Sequence, residues 1–157
     1  MNGQMMASFG GKLPRNLWHT VLMAQLAWIP DPEFPLAPLD WRAVERGLPL
    51  SALNDFSTYS GIAVKTVQEA VIPLRTLKHR RQRNESLNLE ESDRLGRIAR
   101  MFELASRVYG NPEDGKEWLL QASERFDGKT ALAMLRSAAG ERAVEEFLYQ
   151  IDEGMFV

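Results

Sequence analysis

The chain has 157 residues, 45% hydrophobic and 25% charged, with a formal net charge of −2, four tryptophans and no cysteine. That length suits one compact unit or two small packed ones, and the composition excludes wholesale disorder. The lack of cysteine excludes disulfides and thiolate-held zinc and fits the cytoplasm, and no run approaches the ~20 apolar residues that span a bilayer.

Taken in order, residues 15–29 have the periodicity of an amphipathic helix carrying Leu17, Trp18, Val21, Leu22 and Trp28. Lys12 and Arg15 precede its apolar run (16–29), but no small-residue cleavage site follows, so a signal peptide is not expected. The stretch IPDPEFPLAP (29–38) holds four prolines and reads as an irregular connector. Asp40 is a candidate N-cap for a short helix, WRAVER, which Gly47 ends. In PLSALNDFSTYSG (49–61), Leu50, Leu53 and Phe56 share a helical face, and Val64, Val67 and Val71 continue the apolar spacing on the next helix.

Pro73 then stands where a helix can begin but cannot continue, and IPLRTLKHRRQR (72–83) follows with five basic residues and no acid. The rest of the chain is acidic on balance: six basic and ten acidic residues lie in 84–127, and three and five in 128–157. Any attraction to a polyanion must therefore come from focused contacts in this one block. Drawn as a helix, 74–83 places Leu74 and Leu77 on an inward face and Arg75, Thr76, His79, Gln82 and Arg83 opposite. Lys78 and Arg80 fall on the flanks, and the stem of Arg81 lies near the apolar side. An ordinary solvated helix mixes charge signs for i,i+4 pairing, and this one does not. A helix, a tight break and a basic helix form the outline of a helix-turn-helix, in which outward residues reach base edges and flanking cations hold phosphates. Val71 stands where such turns commonly carry glycine.

Downstream, Asn88 and Glu91 open the longest predicted helix, 89–109, with a capping box and a buried stripe of Leu95, Ile98, Phe102, Ala105 and Tyr109. Gly110 ends it, and Asn111-Pro112-Glu113-Asp114 starts the next, which carries Trp118, Leu119 and Ala122. Two more helices are expected at 130–138, capped by Thr130, and at 141–152, bearing Val144, Phe147, Leu148 and Ile151. Strand signals are nearly absent, so the fold class is all-α. The expected organisation is an N-terminal segment (1–38), a helix-turn-helix region (39–86) and a C-terminal helical domain with a tail (87–157).

The residues show no nucleophile–base pair, glycine-rich phosphate loop or metal-ligand spacing, since His19 and His79 stand alone. No enzymatic activity, metal or cofactor is expected.

The second half resembles the Xre/MbcA/ParS family of bacterial type II antitoxins. The resemblance covers roughly residues 48–154. It is carried by Arg75-Thr76-Leu77, LNLEESDRLGRIAR, Gly110 before the acidic turn, Trp118-Leu119, Gly128 before Thr130, Leu132 with Leu135, Gly140, Val144, Leu148 and Gly154. The prolines that the family often has near Ala122 and at Ala131 are missing here.

The resemblance implies a helix-turn-helix followed by a small toxin-binding domain. It implies a RES-type toxin as partner, an ADP-ribosyltransferase-like enzyme for which NAD is the substrate, and repression of the chain's own operon. Operator DNA would meet Arg75, Thr76, Lys78, His79, Arg80, Gln82 and Arg83. The toxin would meet Trp118, Tyr149, Asp152, Glu153 and the tail residues Met155, Phe156 and Val157. A homodimer or higher-order toxin–antitoxin complex is expected, with no membrane contact. The residues alone leave two alternatives open: a homodimeric repressor without a toxin, and a pure protein inhibitor with a vestigial DNA-binding region.

Overall fold

Local capping chemistry sets most of the helix ends. The computed structural model describes residues 41–155. The expected helix at 15–29, the proline-rich connector, the Asp40 cap and the tail residues Phe156 and Val157 lie outside that range. Helices α1 (Trp41–Arg46), α2 (Ser51–Ser60), α3 (Val64–Val71) and α4 (Leu74–Arg83) come first. They are followed by the long α5 (Leu89–Val108) and by α6 (Pro112–Leu120). A small hairpin of β1 (Ala122–Ser123) and β2 (Lys129–Thr130) leads to α7 (Ala131–Met134) and α8 (Ala138–Asp152).

The predicted capping box is present: the Asn88 side chain accepts from the Glu91 N–H at 2.8 Å, and the Glu91 carboxylate accepts from the Asn88 N–H at 2.8 Å. Asn111 caps α6 in the same way through the Asp114 N–H, with Pro112 at the first helical position. These interactions satisfy N–H groups that a helix start otherwise leaves unpaired.

Helix α5 is the spine. Its stripe of Leu95, Ile98, Ala99, Phe102 and Ala105 is buried, and it packs against α1, α2 and α3 along one part and against α6 and α8 along another. One apolar cluster therefore runs from Leu53, Phe56, Val67 and Leu77 through α5 to Leu119, Leu135, Val144 and Leu148. Phe102 receives both Phe56 and Tyr59 edge-on, each with ring centroids 5.9 Å away.

The structure departs from expectation in the last third. A two-residue antiparallel ladder pairs Ala122 with Thr130 and Ser123 with Lys129. Asp127 (φ 54°) and Gly128 (φ 77°) turn the chain between them, and Phe126 anchors the turn in the core. The helix expected at 130–138 stops at Met134, and the final helix begins at Ala138 rather than 141, because Ser137 accepts from the Gly140 N–H at 3.1 Å and caps a new start. Gly140 lets that start lie against α7: a Cβ there would collide with the Met134 carbonyl. Val64, expected on the buried face, is 41% exposed at the first position of α3.

Candidate functional site

The turn between α3 and α4 is made without glycine. Residues that precede proline are restricted to extended backbone, and Ile72 adopts φ −142°, ψ 139° ahead of Pro73. No residue there needs a positive φ, so Val71 serves as a buried core residue instead. Arg94 of α5 donates to the Val71 carbonyl at 2.9 Å and holds this corner from outside.

Helix α4 then starts with no side-chain cap and no acid in its first turn. Leu77 is its single fully buried side chain. Two neighbours differ from the sequence-drawn wheel. Leu74, expected inward beside Leu77, is 44% exposed, because Val71 and Ile72 already fill the adjoining core. Arg80, expected to face phosphate, turns inward and donates to the Ser86 carbonyl at 3.0 Å. Its guanidinium also pairs with the Glu91 carboxylate at 3.2 Å. Arg80 thus closes the loop between α4 and α5.

With Leu77, Arg80 and half-buried Thr76 on the inward side, the outward centre of α4 falls on Arg75, Lys78 and Gln82. Leu74 and His79 form its shoulders, and Arg81, whose stem was expected to pack, is exposed. Arg75, Lys78 and Arg81 have no acidic partner among the described residues, whereas Arg83 reaches Glu85 at 3.8 Å in a pair open to solvent. Outward positive charge is therefore left available on this face.

The toxin-facing candidates divide into two places. Tyr149, Asp152, Glu153 and Met155 are exposed together at the end of α8. There Arg142, Glu146, Tyr149, Glu153 and Met155 border a shallow groove of about 480 Å³. Gly154 takes the left-handed conformation (φ 67°), and the Met155 N–H donates to the Gln150 carbonyl at 3.1 Å, turning the chain off the helix. Trp118 does not line that groove. It is half-buried in an aromatic stack, 5.9 Å from Tyr109 and 6.0 Å from Phe147, with Phe126 edge-on to Phe147. Burial there raises the Tyr109 hydroxyl above its ordinary pKa of 10.0.

Three features on which this geometry depends escape the sequence analysis: Glu91 is read there as a cap but not as the partner of Arg80, Arg94 is given no role, and Leu74 is placed on the inward side. Among the described residues no cluster of three or more His, Cys, Asp or Glu side chains could hold a metal ion. None of the described helices is long and apolar enough to cross a membrane.

Residues 42–100 match the antitoxin Xre-like helix-turn-helix domain family. Residues 104–154 match the antitoxin Xre/MbcA/ParS C-terminal toxin-binding domain family. Over 97 residues the chain is 42% identical to the Antitoxin Xre of Pseudomonas putida. That match covers 62% of this chain and 61% of the relative, less than two thirds of its length.

Proposed function

The chain belongs to the Xre-type antitoxins, and on that premise we propose that it neutralises a RES-family toxin and represses its own operon. In this proposal the region 39–86 reads operator DNA and the region 87–157 holds the toxin. Arg75, Thr76, Lys78, His79, Gln82 and Arg83 meet the operator, and Arg80 positions the helix through Glu91. Trp118, Tyr149, Asp152, Glu153 and the tail from Met155 to Val157 meet the toxin, whose NAD substrate they keep from turnover. The chain has no catalysis of its own, acts in the cytoplasm, and binds two half-sites as a homodimer or as part of a larger toxin–antitoxin complex.

The observation that carries this proposal is the tandem itself. A helix-turn-helix whose outward Arg75, Lys78 and Arg81 have no acidic partner among the described residues is followed, on the same long helix, by a domain of the toxin-binding family.

The test is co-expression with the adjacent reading frame. That frame alone should arrest growth and deplete cellular NAD, and the full chain should restore both. The purified chain or complex should retard a fragment from upstream of its own gene, with affinity falling steeply as salt rises. Toxicity that this chain leaves untouched would remove the toxin assignment. Retention of the fragment by a variant lacking both Arg75 and His79, with unchanged affinity, would remove the assignment of DNA reading to the outward face of α4, and failure of the wild type to retain it would remove the DNA assignment.

A further inference from the structure

We infer that Leu74 is a specificity-determining residue that reads the C5-methyl group of a thymine in the operator's major groove. The inference rests on the DNA-reading role of α4 proposed above.

Leu74 is the first residue of α4 and is 44% exposed. Every other exposed side chain on this helix is Arg, Lys, His or Gln, so a large apolar group here stands in a cationic surround. The core does not need it: Val71 and Ile72 are fully buried beneath the turn and Leu77 is 2% exposed, which together close the interface with α3. Pro73, extended at ψ 133°, delivers the chain to this position and directs the first turn of α4 outward.

The N-terminal turn of a recognition helix is the part that meets base edges. In the major groove, the one apolar group a base pair offers is the thymine methyl; the remaining features are hydrogen-bond donors and acceptors that leucine cannot answer. The next residue, Arg75, is outward and without an acidic partner among the described residues, and it has the fork geometry suited to guanine O6 and N7. The pair therefore predicts a thymine methyl recognised beside a guanine. On this basis Leu74 supplies sequence preference, while Lys78 and Arg81, one and two turns further along the same stripe, supply affinity that any sequence would enjoy.

The decisive experiment removes the methyl from each side in turn. A fragment from upstream of the gene is prepared with thymine and again with uracil, which lacks only the C5-methyl. The full chain, with its partner if complex formation is needed for binding, is titrated against both. The wild-type protein should bind the uracil fragment roughly fourfold more weakly per methyl contacted, the value of one buried carbon. Leu74→Ala should bind the thymine fragment about as weakly as that, and should no longer distinguish the two fragments. Its thermal unfolding should shift only slightly, since the side chain is 44% exposed and Val71, Ile72 and Leu77 are the buried residues beside it. Equal wild-type affinity for thymine and uracil DNA overturns the inference, as does discrimination that survives in Leu74→Ala. Failure to bind either fragment overturns the DNA assignment of α4 itself, and this inference with it.

Discussion

Helices α4 and α8 make opposite use of charge around the same spine. α4 carries Arg75, Lys78, Arg80, Arg81 and Arg83 without an acid. α8 carries Glu141, Glu145, Glu146 and Asp152 against the single Arg142, with Glu153 at its end. Each lends one residue of its excess sign inward to α5: Arg80 pairs with Glu91, and Glu141 accepts from Arg100 at 2.6 Å. The rest of each set is exposed, apart from half-buried Glu145. The net charge of −2 conceals this arrangement entirely, because the positive excess of α4 is outweighed in the sum by acidic residues such as those of α8.

Four substitutions test whether the two ends are as separable as their charges suggest. Gly140→Ala should have the largest effect, about 3 kcal/mol of stability, because the added methyl meets the Met134 backbone rather than a side chain that can move. Chemical denaturation measures it, and toxin neutralisation should fail with it. Arg75→Ala should cost about 2 kcal/mol at the operator and nothing in denaturation, and fluorescence-anisotropy titration against operator DNA distinguishes the two. A loss of stability there would mean that the outward face of α4 is structural after all. Glu91→Gln keeps an acceptor for the Asn88 N–H but removes the charge facing Arg80, so a urea midpoint lowered by about 1–2 kcal/mol is expected. Arg100→Ala breaks a half-exposed pair, and the same measurement should register about 0.5 kcal/mol. The inequality of the last two is informative. Should Arg100→Ala equal Glu91→Gln, the α8 end would be pinned as firmly as the α4 end.

A smaller effect concerns pH. Burial raises the Tyr109 hydroxyl above 10.0, so folding favours the neutral phenol. That contribution is complete below pH 10 and is lost as pH rises through the folded-state value, because the unfolded chain then releases its proton first. Stability measured from pH 9 upward should fall less steeply in Tyr109→Phe than in wild type.

What the sequence disclosed and what it withheld follow from the range of the forces involved. Helix α5 was legible almost to the residue, since Asn88 and Glu91 cap it within one turn and Gly110 ends it. The same holds for Asn111 and Pro112 at the start of α6. The ladder of β1 and β2 is too short for alternation to register, and only Asp127-Gly128 marks it. The orientation of α4 was withheld for a different reason. A helical wheel cannot know that Ile72 is fully buried while Leu74 stays 44% exposed, nor that Arg80 meets a carboxylate eleven residues away across a loop. The cationic character of the face was local and readable; its rotation was tertiary.

The apolar stripe of α5 has one more consequence. Because Leu95 and Ile98 sit in the same continuous cluster as Leu119 and Val144, no seam of polar contacts separates the two halves. The region 41–155 should melt as one cooperative transition in calorimetry. A gene cut between residues 86 and 87, or between 100 and 104, would expose one flank of that stripe and yield fragments that aggregate. The two charged faces can be altered singly, but they are inherited together.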